Sequence, residues 1–183
     1  MKVFVQRTPV SAELPFDLDD LKQHMRVAHD LEDDAVRNMG LTAAAELEQF
    51  AQISLLKQDI TVTVFEATFS RSVLTFPIGP MAEGSAPIIV MDGENFTSFE
   101  HVGGNRPAIR FLCDYLLLAP GKMEIRYQAG FGGDASYIPA DLAQALMDQT
   151  ALHYDGRSPM HSKDLTTSPH LARIGARYRG VQL

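Results

Sequence analysis

The stretch that decides the fold is Lys122-Met123-Glu124-Ile125-Arg126-Tyr127-Gln128, followed by Ala129-Gly130-Phe131-Gly132-Gly133 and then Ile138-Pro139. Met123, Ile125 and Tyr127 alternate with Glu124, Arg126 and Gln128, the period of a strand with one face buried. The glycines that follow supply a bend. Pro139 suits the first turn of a helix, where its missing N–H costs nothing, and Asp141 suits the positive end of the helix dipole. The helical run closes near His153-Tyr154-Asp155-Gly156-Arg157. Strand, glycine bend and amphipathic helix therefore follow one another, and none of the three carries a catalytic arrangement.

Working outward, the N-terminal residues to Pro15 read as extended, with Pro9 and Pro15 as breaks. Asp17 is placed to cap a short helix that carries Leu18, Leu21 and Met25 at helical spacing. Asp30 is expected to cap a longer helix whose first turn holds Glu32, Asp33 and Asp34 and in which Gly40 is the weak point. The middle is β: Ile60 to Phe65 is β-branched and alternating, and Arg71 to Phe76 is stopped by Pro77-Ile78-Gly79-Pro80. Ile88 to Met91 leads into the turn dipeptide Asp92-Gly93 and is expected to pair with Asn95 to Glu100. Ala108 to Leu118 holds one or two strands. After a polar segment over 158–167, Ser168-Pro169 marks a helix start, Ser as N-cap and Pro at the first position. Leu171, Ile174 and Tyr178 share one face of that helix, and Arg173 and Arg177 share another. A helix this short is marginal alone and must dock on this protein or on a partner.

The expected fold class is α+β. It comprises a small helical bundle, with helices near 17–27, 31–52 and 139–155, an inserted antiparallel β region over about 60–128, and a C-terminal docking helix. Residues 1–157 form the body and 158–183 a basic arm.

Charge supports that division. The net charge is −7, which argues against a general nucleic-acid coat. Twelve acidic and six basic residues fall between Met1 and Glu66, whereas five basic and one acidic fall between Gly156 and Leu183. An acidic body with a basic tail suggests that the tail meets something other than solvent. A lone cysteine, Cys113 in an apolar run, excludes an internal disulfide and reads as a buried thiol. No signal-like or membrane-length apolar run is visible, so a soluble protein made in a reducing cytoplasm is expected.

The search for chemistry yields little. His24 and His29 are five apart rather than four, and His153, His161 and His170 are scattered. His153 is expected to pack or cap beside Tyr154. Asp30 to Asp34 lacks the spacing and closing Glu of a calcium loop. Glu83-Gly84-Ser85-Ala86 is no nucleophile elbow, and Gly130-Phe131-Gly132-Gly133 lacks a phosphate-loop lysine and is followed by Asp134. No catalytic residue, cofactor or metal is expected.

The order of these signals resembles the head–tail connector (adaptor) proteins of long-tailed bacteriophages and gene transfer agents. The resemblance is carried by Leu18-x-x-Leu21-Lys22-x-His24-x-Arg26-Val27, then Asp33-Asp34-Ala35 and an Ala-rich helix, then Phe76-Pro77-Ile78-Gly79-Pro80 and Asp92-Gly93. It continues through Ile125-Arg126-Tyr127-x-Ala129-Gly130-Phe131-Gly132, Ile138-Pro139-x-x-Leu142-x-x-Ala145, His153-Tyr154, Arg157, Leu171 and Tyr178-Arg179, with a final apolar strand. Gly40 and Gly175 depart from the family's more apolar helices.

The resemblance implies subunits made in a bacterial cytoplasm and a homo-oligomeric ring, twelve-fold in the particle, beneath the portal at the head–tail junction. Double-stranded DNA would pass through it without sequence-specific binding, and the further partners would be the portal and a stopper or tail-completion protein, with no membrane involved. Portal docking would fall to Leu171, Arg173, Ile174, Arg177, Tyr178, Arg179 and Leu183. Channel-facing acids would come from Asp30, Glu32, Asp33, Asp34, Glu46 and Glu48. The alternatives are a stopper or terminator, which tend to be smaller and mostly β, and, more distantly, a small soluble hydrolase.

Overall fold

The computed structural model describes residues 2–157 and 167–179. Four helices and two antiparallel sheets make an α+β fold, and the chain divides into two compact units. One takes Met1–Ser11 and Leu56–Phe131; the other takes Ala12–Leu55 and Gly132–Leu183.

The first unit is all β. Its five-stranded sheet has the order β1-β2-β8-β4-β5, built from β1 (Lys2–Pro9), β2 (Gln58–Phe65), β8 (Lys122–Ala129), β4 (Ile88–Met91) and β5 (Glu94–Phe96). A three-stranded sheet has the order β3-β7-β6, from β3 (Val73–Thr75), β7 (Ala108–Phe111) and β6 (Phe99–Val102). The alternation in β8 does what its pattern requires: Met123, Ile125 and Tyr127 are buried opposite Val64, Val62 and Ile60 of β2. Ile89, Ile109, Phe111 and Phe76 join the same core. Tyr127 stacks on Phe76 with ring centroids 4.7 Å apart. Its hydroxyl donates to the Ile78 carbonyl at 2.8 Å and accepts from the Ile78 N–H at 3.3 Å, so the one polar tip in this core is satisfied. Burial pushes that phenol's pKa well above its ordinary value. Gly130 ends β8 with φ +128, and a Cβ there would lie 2.3 Å from the Leu56 carbonyl oxygen, so only glycine fits.

One β expectation is corrected and another is narrowed. The run Asn95 to Glu100 is not one strand: β5 closes the hairpin on β4, and β6 crosses to the other sheet to pair with β7. The break falls at Thr97 and Ser98, and burial of Phe96 and Phe99 against one core separates the two strands. Ala108 to Leu118 holds one strand, after which Asp114 caps a 3-10 turn over Tyr115–Leu117 through the Leu116 N–H. Cys113 is half-buried at the core margin.

The second unit is helical: α1 (Leu18–Met25), α2 (Asp33–Ala51), α3 (Ala140–Asp155) and α4 (Pro169–Tyr178). Asp17 caps α1 as expected, accepting from the N–H groups of Asp19 and Asp20. Asp30 does not cap α2, which begins at Asp33. Lys22 of α1 captures the Asp30 carboxylate at 2.5 Å and that of Asp33 at 2.7 Å, and an ammonium outcompetes a backbone N–H for a carboxylate. Pro139 stands at the N-cap of α3 rather than within its first turn. Leu21, Val36, Ala43, Leu47, Leu142, Ala145, Leu146 and Leu171 form the buried seam of this unit. Gly40 belongs to that seam: a Cβ there would stand 2.6 Å from Phe16 Cζ. The residue that weakens the isolated helix is the one that lets Phe16 pack onto it.

Candidate partner-docking site

The basic C-terminal helix starts where the sequence places it. The Ser168 hydroxyl accepts from the Leu171 N–H at 3.0 Å, and Pro169 occupies the first turn. The Ser168 N–H donates to Gln149 Oε1 at 2.7 Å, and Gln149 Nε2 donates to Glu46 Oε2 at 2.8 Å. His153 Nε2 lies 2.9 Å from the same Glu46 oxygen. One buried glutamine of α3 thereby ties the start of α4 to α2. Gln149 follows Leu142, Ala145 and Leu146 at helical spacing, so a polar residue on an apolar stripe was the sequence signal for this node.

The stripe on α4 is spent within the unit. Leu171 and Ile174, expected as apolar anchors for a partner, are buried within the unit, and this arrangement presents neither side chain outward. The physical reason is Gly175. Its missing Cβ, which would lie 2.6 Å from Phe50 Cδ1, lets α4 approach α2 closely enough to cover both residues. Tyr178 donates to Asp141 Oδ1 at 3.0 Å, and burial, followed by that hydrogen bond, pushes its phenol up to about 12. The Arg179 guanidinium sits 5.9 Å from the centre of the Phe50 ring. Asp148 of α3 receives two histidines, His24 Nε2 at 3.1 Å and His170 Nδ1. These three come from α1, α3 and α4, a grouping that no sequence spacing announces. Arg173 and Arg177 on α4, and Arg179 at its C-cap, are exposed. Leu183 and the expected final strand lie outside the described residues.

The six acids named for the channel are not a free carboxylate surface. Glu32 accepts from the Tyr154 hydroxyl at 2.7 Å and from Arg157 Nη1 at 2.8 Å, and these two donors hold its carboxyl below its usual range. Arg157 also lies over the Tyr154 ring, 4.0 Å from its centre. Asp30 and Asp33 share Lys22, Asp34 pairs with Arg37 at 3.1 Å, and Glu46 is engaged with Gln149 and His153. Glu48 accepts from the Leu55 N–H at 2.7 Å and so fixes the turn after α2. Of the six, only Asp30 and Asp34 are exposed.

An open groove of about 580 Å³ in the helical unit is lined in part by Glu13, Asp17, Asp134 and Ser136. The Asp17 and Asp134 carboxylates cap the turns that follow them, Asp134 accepting from both the N–H and the hydroxyl of Ser136. Among the described residues no group of three or more His, Cys, Asp or Glu side chains is disposed to hold a metal ion.

No protein-family model and no curated protein matches the sequence. Solved structures do. A chain from the neck of an empty gene-transfer-agent particle, computed with C6 symmetry, superposes with a TM-score of 0.76 at 21% identity, over 98% of this chain and 97% of that one. A chain of a native gene-transfer-agent virion gives 0.74 at 23% identity, and one from a native neck computed with C12 symmetry gives 0.73 at 21%, with the same coverage. This chain has the fold of a gene-transfer-agent neck protein. The likeness covers residues of both units.

Proposed function

We propose that this protein is the adaptor of a head–tail junction, a structural subunit that forms a ring beneath the portal and lets double-stranded DNA pass through. The observation that carries the reading is the fold likeness to neck chains over 98% of the sequence, helices and sheets together. Necks computed with C6 and C12 symmetry are consistent with a symmetric ring of such chains. Four helices favour an adaptor over the mostly β stopper or terminator. A chain of net charge −7 suits a conduit, because a negative wall repels phosphate and lets DNA slide. The particle neck is the corresponding location.

Arg173, Arg177 and Arg179 are the portal-facing groups in this reading, since Leu171 and Ile174 are buried. The test is electron microscopy of the full chain mixed with the portal of its own particle. The expected image is a ring seated under the portal. Arg173→Glu combined with Arg177→Glu should leave a folded protein that no longer seats, and particles carrying it should accumulate as tailless heads. A chain that binds only beneath another ring, with no contact to the portal, would instead be a stopper.

A further inference from the structure

The two edges of the five-stranded sheet are built differently. β5 is three residues long and carries the exposed polar residues Glu94 and Asn95, the usual way an edge is kept from pairing with another chain. β1 has eight residues, no bulge in its register with β2, and a proline only at its end. Among the described residues no strand pairs with its outer side.

Its side chains are apolar on both faces. Val3 and Val5 stand opposite Val64 and Val62, on the face where the core lies. Val64 and Val62 are 4% and 3% exposed, whereas Val3 and Val5 are 48% and 42% exposed, so the core runs out under β1. On the other face Phe4 is 58% exposed and meets Phe65 edge-on, with centroids 6.0 Å apart. A long edge on which no described strand pairs, with exposed apolar side chains on both faces, is a surface made to be covered.

We propose that β1 is one half of the contact between successive copies of this chain. This rests on the ring reading above. The charges on β1 favour a second copy as the occupant: they are Lys2 and Arg7, with no acid, and a copy of the chain is an anionic partner of net charge −7. A cyclic ring needs a head-to-tail contact between two different patches, whereas β1 pairing with itself about a two-fold axis closes at a dimer. The same unit supplies a second exposed apolar group. Leu116 and Leu117, 67% and 81% exposed, project from the 3-10 turn capped by acidic Asp114, and they form the other half. The interface is therefore an apolar edge strand with flanking cations against an apolar turn beside a carboxylate.

The test uses the full chain, with assembly followed by native mass spectrometry. Val5→Glu and Leu117→Glu each alter an exposed residue, and both variants should melt like the wild type. Each alone should assemble about tenfold or more weakly, the size of loss expected for truncating an interface anchor. Mixed in equal amounts, each retains one intact half, so the mixture should form heterodimers that stop at two. Hydrogen exchange gives a readout without substitution: the amides of Lys2 to Thr8 should gain protection when wild-type monomers become rings. Unimpaired rings from Val5→Glu, or no gain in protection of β1, would overturn the proposal while leaving the ring intact. Normal rings that fail to join heads would assign β1 to another particle protein and overturn it equally. A wild-type chain that stays monomeric both alone and with portal would sink the ring reading and this one with it.

Discussion

The two units keep their interiors in different ways. Among the described residues the buried polar or charged side chains Lys22, Ser54, Gln149, Thr150 and Ser168 all lie in the helical unit. The β unit buries aliphatic and aromatic groups, with the Tyr127 hydroxyl as its polar exception. An apolar sheet core is held by register and area, and moving any strand by one residue turns its apolar face outward. A helical unit threaded with hydrogen bonds is held by particular pairs, each of which binds one helix to another. The first design makes a rigid body. The second makes elements that can be released one at a time.

Three substitutions probe that contrast. The largest effect is expected in the sheet. Ile125→Ala leaves a cavity under β8 and should cost about 2–5 kcal/mol. Chemical denaturation should show the whole β unit unfolding earlier in one transition; loss confined to a single strand would break the description of a register-held core. Gln149→Leu comes next. It strands the buried Ser168 N–H and removes a donor from Glu46, and should cost about 1–3 kcal/mol. Its signature is local: hydrogen exchange over Leu171 to Tyr178 should speed up while β2 and β8 keep their protection. Equal loosening of both units would contradict the difference drawn here.

The smallest effect concerns Glu32. The Tyr154 hydroxyl, and then Arg157, lower its pKa from the ordinary value of 4.5. A depressed carboxylate contributes stability that is present above its unfolded pKa and lost as pH falls through the lower folded value. Glu32→Gln should therefore lower Tm slightly at neutral pH, and the gap from wild type should close on acidification below 4.5. A gap that widens in acid would show that Glu32 is not held this way.

Much of the fold was legible in the sequence because local pattern and tertiary role agreed. The alternation in β8, the Asp17 cap and the Ser168-Pro169 start are read from residues within one element, and the structure keeps them. What stayed hidden depended on which distant group competes for a side chain. Asp30 looks like a cap until Lys22, on another helix, takes its carboxylate. Gly40 and Gly175 read as flaws in helices because nothing nearby in sequence reveals Phe16 and Phe50 pressing against them. The stripe of Leu171 and Ile174 was visible, but a stripe does not name its cover, and here α4 turns it inward. The His24–Asp148–His170 cluster unites three elements and leaves no spacing to find. Gln149, polar on an apolar face, was not singled out from the sequence, although that pattern could have pointed to the place where α4 docks.

The order in which the units alternate along the chain also bears on how the protein forms. β1 leaves the ribosome before the strands of its sheet that follow it, so Val3 must wait for Val64, and Val62 in turn for Ile125. The helical unit begins inside that interval and closes only when Ser168 reaches Gln149. Each unit is thus interrupted by the other, and neither can be obtained by cutting the chain once. Sequence-distant pairings of this kind slow folding, and an apolar strand left waiting invites capture by a neighbouring chain. Linking the C-terminal end of β1 directly to β2 and ending the chain at Phe131, so that all four helices are removed, should yield a sheet domain that folds faster than the parent in stopped-flow refolding.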